Sequence, residues 1–118
     1  MQDRFKFRVW DKASKKMHEV WGFSKMGVSF GDAKVHSLSH NECVLMQCTG
    51  LKDKNGKLIF KGDILKDKDG LICFVAWFDG GFWVETPGNG AKDFECSEFY
   101  NSSEIIGNIY ENPELLES

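Results

Sequence analysis

Proline is scarce in this 118-residue chain, which holds only 2, and no Pro-, Gly- or Ser-rich linker divides it. Long hydrophobic runs are missing too. The longest, Leu71 to Phe78, spans eight residues, against the roughly 18–20 that a membrane-crossing helix needs, so no membrane partner is expected. The opening MQDRFKFRVW lacks the apolar core of a secretion signal, and a cytoplasmic location is the expectation. In that compartment Cys43, Cys48, Cys73 and Cys96 are expected as reduced thiols rather than a disulfide framework. No internal repeat or low-complexity tract is visible.

A global positive field is also lacking, since the net charge is -3, and general nucleic-acid binders rely on such a field. The distribution is uneven, however. Residues 1–60 carry 11 Lys and Arg against 6 Asp and Glu, a balance of +5, while residues 61–118 carry 4 against 12, a balance of -8. A basic half suits phosphate, but it suits equally the acidic half of the same or a neighbouring subunit, and the second reading is preferred.

What is present is a folded protein's composition: 42% hydrophobic, 14% aromatic and 28% charged residues, with 12 Gly. At this length one domain with a core of its own is expected. The patterning has period two, the mark of strands. Phe5, Phe7 and Val9 alternate with Lys6, Arg8 and Trp10, and after a hairpin loop at 11–16 the chain returns through Met17 to Trp21. Gly22, Gly27 and Gly31 punctuate a weakly patterned stretch reaching His40, expected as short strands and long loops. Further strands are expected at 43–51, 58–60, 64–66, 71–78, 82–86 and 104–110, with 94–100 ambiguous. Asp53-Lys54-Asn55-Gly56 and Asp67-Lys68-Asp69-Gly70 supply turns. Both faces of Leu71 to Phe78 are apolar, so both are expected to be covered. Asn112 is placed to cap a short terminal helix that opens on Pro113. The fold class is mainly β, a small barrel or sandwich, with a soft boundary near residue 42.

Three strings stand out: Phe7-Arg8-Val9-Trp10-Asp11; Leu45 through Gly56 (LMQCTGLKDKNG) with Gly62-Asp63-Ile64; and Ile106 through Leu116 (IGNIYENPELL). In order and across nearly the whole chain, they resemble the YopX family, small proteins encoded by phages and prophages. Cys48 departs from the Tyr common there, which marks a packing position. The resemblance implies a mostly β protein whose C-terminal part is an SH3-type barrel; with the strand pattern, the expectation is an N-terminal β-hairpin and variable-loop region, residues 1–42, packed on an SH3-like small barrel, residues 43–118, as one folding unit in a bacterial host's cytoplasm. It carries over no reaction, substrate, cofactor or catalytic residue.

Each candidate site has an ordinary structural reading beside it. His36, His40, Cys43 and Cys48 offer four ligands of the types that zinc prefers, but a strand through 43–48 puts the two thiols on opposite faces, and no metal is assigned. Asp67-x-Asp69-Gly70 resembles a fragment of a calcium loop but lacks the closing ligands. Cys43 with His40, or Asp63 as a base, lacks an orienting third group, and Asp63 after Gly62 is placed to bond local backbone instead. Arg4, Lys6, Arg8, Trp10 and Lys12 combine cations with a ring that suits a single-stranded nucleic acid, or else form a solvated strand face. Trp10, Trp21, Trp77 and Trp83 fall in or beside strands and are candidates for an interface, since large aromatics concentrate where proteins meet. The expectation is a non-enzymatic accessory protein acting through self-association or contact with a phage or host protein. Nucleic-acid binding is the alternative, and a metal or hydrolytic role for the His36 to Cys48 region is the weaker one.

Overall fold

Short-range polar chemistry sets the hairpins. The computed structural model describes residues 6–25, 27–30, 36–39, 41–78, 81–85, 92–95 and 102–117. Strand β1 (Phe7–Asp11) turns into β2 (Lys16–Ser24) because the Asp11 carboxylate accepts the Ala13 and Ser14 amides at 3.1 and 3.4 Å. The same device recurs twice. Between β5 (Cys43–Lys52) and β6 (Leu58–Phe60), Asp53 Oδ1 accepts the amides of Asn55 and Lys57, each at 2.9 Å. Between β7 (Asp63–Lys66) and β8 (Ile72–Phe78), Asp67 Oδ1 accepts those of Asp69 and Leu71 at 2.9 and 2.8 Å. Gly56 and Gly70 complete these turns at φ +83° and +88°, where a side chain is disfavoured. The Asp67 to Gly70 string is thus a turn held by its own carboxylate.

The remaining strands are β3 (Gly27–Phe30), β4 (His36–Leu38), β9 (Gly81–Glu85), β10 (Lys92–Glu95) and β11 (Glu104–Asn108), and a 3-10 turn at Pro113–Leu116 follows. Among the described residues every strand pairing is antiparallel, in two sheets ordered β4-β3-β2-β1-β5-β6 and β10-β9-β8-β7-β11. The first sheet runs across residue 42 through the β1–β5 ladder, where Val9 faces Leu45. The chain passes from one sheet to the other at Lys61–Gly62.

Two apolar clusters follow from the alternation. Val9, Val28, Phe30 and Cys43 pack together, with Val20 and Leu45 against them. Ile59, Leu65, Cys73, Val75 and Val84 form the other, supported by Leu51, Phe82 and Ile105. The second cluster draws β5 and β6 of the first sheet onto β7, β8 and β9 of the other.

Three expectations change. The faces of β8 are unequally covered: Cys73 and Val75 are buried and Ile72, Phe74 and Ala76 half-buried, while Leu71 and Trp77 are 39% and 49% exposed. Asn112 precedes Pro113 as expected but makes no side-chain cap; its amide oxygen turns back to accept the Asn108 amide at 3.2 Å. The outward face of β1 is also not free. Arg8 and Trp10 are turned into the molecule, because the segment after β11 covers them.

Candidate functional site

The inward turn of β1 begins with a charge that needs a partner. Asp63 enters β7 directly after Gly62 and is almost fully enclosed, its side chain 3% exposed. One oxygen, Oδ2, accepts the Phe60 amide at 2.7 Å, a local bond of the kind an aspartate after a turn glycine makes. The other, Oδ1, meets Arg8 Nη2 at 2.7 Å. The same nitrogen donates to the Lys61 carbonyl at 3.2 Å, and the guanidinium carbon lies 4.8 Å from the Phe60 ring centroid. Burial pushes the Asp63 carboxyl up, and the Arg8 charge and the Phe60 amide pull it back only in part.

Gly62 brings these groups together. Its φ of +91° favours glycine, and a Cβ there would sit 3.2 Å from Met46 Sδ and 3.5 Å from Tyr110 Cε2. Its amide donates to Val75 and its carbonyl accepts the Ile109 amide, both at 2.9 Å, so one residue ties together β8, β7 and the segment after β11. That segment is self-bonded: Asn108 Oδ1 accepts the amides of Tyr110 and Glu111, and Asn108 Nδ2 donates to Glu111 Oε1 at 2.8 Å. Gly107 leaves room for Asn112, whose amide oxygen lies 2.5 Å from where a Cβ would stand. The Tyr110 ring then stacks on Trp10 at 5.8 Å between centroids.

A second tie lies nearby. Asp53 Oδ2 accepts the Ile105 amide at 3.0 Å, and the Lys54 amide donates to Ser103 at 2.9 Å. Burial of Asp53 pushes its carboxyl up, but the amides of Ile105, Lys57 and Asn55 outweigh that and hold it below the ordinary aspartate value. Between the two ties opens a cleft of about 610 Å³, with Arg8 and Asp63 on one part of its lining and Lys57, Gly107, Glu111 and Asn112 on others. The three strings singled out in the sequence therefore meet around one cleft.

Comparison with known proteins agrees. The family model described as "YopX protein" matches residues 6–117. The chain belongs to the YopX family. It is 30% identical over 130 residues to the SPbeta prophage-derived uncharacterized protein YopX of Bacillus subtilis (strain 168), an alignment covering 94% of this chain and 95% of that one. The crystal structure of protein EF1440 from Enterococcus faecalis superposes with a TM-score of 0.66 at 32% identity, covering 95% of this chain and 97% of the other. The crystal structure of yopX from Bacillus subtilis has a similar fold, with a TM-score of 0.58 at 24% identity over 97% and 99% of the two chains.

The other candidates are dispersed. Cys43 and Cys48 are both buried. Cys43 donates to the Ser39 carbonyl at 3.4 Å, and burial pushes its thiol up, which disfavours the thiolate that a nucleophile or metal ligand requires. His40 lies outside the described residues, and His36 is placed by its backbone, opposite Phe30. Among the described residues no three His, Cys, Asp or Glu form a group that holds a metal, and no helix is long and apolar enough to cross a membrane. Of the basic set, Lys6 and Lys12 are exposed, Arg8 is engaged by Asp63, Trp10 is 8% exposed, and Arg4 lies outside the described residues, as does the remaining cysteine, Cys96. Of the other tryptophans, Trp83 is half-buried, Trp77 stands out, and Trp21 is placed by its backbone in β2. The Arg8–Asp63 pair was not read from the sequence; the only signal for it was an Arg on an alternating strand and an Asp after a glycine turn.

Proposed function

We propose that this chain is a prophage-type accessory protein of the bacterial cytoplasm that works by contact rather than by catalysis, and that it associates with a second copy of itself. The setting rests on the prophage origin of the Bacillus relative. In this reading residues 43–118 form an SH3-type barrel, which the cluster shared by β5, β6, β7, β8 and β9 supports. The N-terminal hairpin packs on that barrel.

The observation that carries self-association is Trp77. It is 49% exposed, meets Phe82 edge-on at 4.9 Å, and borders a hollow of about 210 Å³ with Phe7, Leu45, Gln47 and Lys61. A large, exposed ring beside an open hollow of mixed polar and apolar lining is the type of residue that anchors an interface. Charge argues for a second copy as the occupant. The residues of the first sheet and its turns belong to the half with a balance of +5, those of the other to the half with -8, so a two-fold pair that sets each basic sheet near the partner's acidic one satisfies both at once.

Sedimentation at tens of micromolar tests this. The expected result is a dimer that shifts toward monomer at high salt and in Trp77→Lys, whose thermal unfolding stays near wild type. A strict monomer in both salts overturns it. Salt-sensitive retention on single-stranded DNA or RNA, lost in a Lys6→Glu/Lys12→Glu variant, would put nucleic acid in the partner's place.

A further inference from the structure

The cleft between β6 and β11 has a feature that a purely structural junction does not need. Arg8 spends a single nitrogen, Nη2, on Asp63 and on the Lys61 carbonyl. Asp63 gives its second oxygen to the Phe60 amide rather than to Arg8, so the pair is not the two-pronged arrangement that arginine favours with carboxylates. Arg8 Nε is left buried with no partner. An unsatisfied buried donor is costly, and the guanidinium that carries it belongs to a side chain that lines the cleft and is 14% exposed.

The surroundings name the class of acceptor. Asp63 is already countered by Arg8, leaving two charged side chains of opposite sign on the lining: Lys57 near one tie and Glu111 in the closing segment, both exposed. Asn112 has its oxygen committed to Asn108, which leaves its NH2 for a ligand. Among the described residues β6 and β11 are the terminal strands of their sheets, each with a neighbour on one side only. The volume, about 610 Å³, falls in the range of small-ligand sites, roughly 300–1,000 Å³.

We propose that this cleft binds an amino-acid-type zwitterion, a free amino acid or short peptide, with its carboxylate received by Arg8 and Lys57 and its ammonium group facing Glu111. This goes beyond self-association and is independent of it, because the cleft and the Trp77 hollow share no lining residue.

The test is an amide-resolved NMR titration of the full chain with free alanine, alanyl-alanine, N-acetyl-alanyl-alanine and alanyl-alanine amide. Saturable shifts at the Arg8 Nε–H and at the Ile106 to Asn108 amides are expected with alanine or alanyl-alanine; the first responding at least as strongly identifies a free amino acid, the second alone a peptide. Blocking the carboxylate as the amide, or reversing the rim charge in Lys57→Glu, is expected to weaken binding roughly tenfold or more, and acetylation of the amine by a similar factor. Arg8→Lys, which keeps a cation for Asp63 but removes Nε, is expected to weaken binding while the spectrum stays that of a folded protein. No saturable shift with any probe, shifts outside the cleft, or binding of the amide or acetylated form as tight as that of unblocked alanyl-alanine overturns the proposal.

Discussion

At the scale of single residues, two enclosed aspartates act in opposite directions. Asp63 is held by one cation, so removing that cation strands a buried carboxylate. Arg8→Met is expected to cost about 3–5 kcal/mol, the usual cost of breaking a buried pair from one side, and Asp63→Leu added to it is expected to restore part of that loss, as a urea-denaturation double-mutant cycle will show. The pH signs also differ. Asp53 sits below its ordinary value when folded, so its contribution is present above the unfolded value and fades as pH falls through the folded one. Asp63 sits above, so its share is fully present below the unfolded value and is lost as pH rises through the folded one. Asp53→Ala is therefore expected to fall short of wild type most at neutral pH and least in acid, as denaturation midpoints at both pH values will show; a constant gap contradicts it. Asp53 was legible as a turn residue because its first two bonds are local. Its bond to Ile105 was not, since nothing within the turn points across the chain.

At the scale of elements, the two glycines at the junction are the sharpest probes. Gly62→Ala places a Cβ at a φ of +91° and 3.2 Å from Met46 Sδ, and a loss of at least about 1–2 kcal/mol in thermal or urea unfolding is expected. Gly107→Ala drives the Asn112 side chain away and leaves the Asn108 amide without its acceptor, which is expected to cost about 1–3 kcal/mol. Asn112→Ala in the Gly107→Ala background is then expected to add little, because the contact is already lost. The hairpin elements were readable almost residue by residue: Asp-x-x-Gly between alternating runs fixes both turn and register locally. β3 and β4 blurred because Gly22, Gly27 and Gly31 dilute the alternation. On β1 the alternation gave two faces correctly but not which is covered, since the cover, Tyr110 on Trp10, comes from the far end of the sequence.

For the whole molecule, both sheets hang on the same junction, so they are expected to unfold together. Tryptophan fluorescence and far-ultraviolet circular dichroism should trace coincident denaturant transitions; two separated midpoints would mean that each sheet stands alone. That the chain is mainly β was legible because strand spacing is a property of the sequence itself, whereas the pairing of β1 with β5 and of β7 with β11 depends on contacts between distant positions. The clasp made by Ile109 on Gly62, with Tyr110 laid over Trp10, has a consequence for how the chain is born. Synthesis proceeds from the amino end, so the first strands emerge with Arg8 and Trp10 uncovered and must wait for roughly a hundred more residues, until Ile109 and Tyr110 are made, before the latch arrives. Until then the nascent chain presents a bare arginine and an unroofed indole, and a chaperone or a neighbouring nascent copy has its opportunity in that interval.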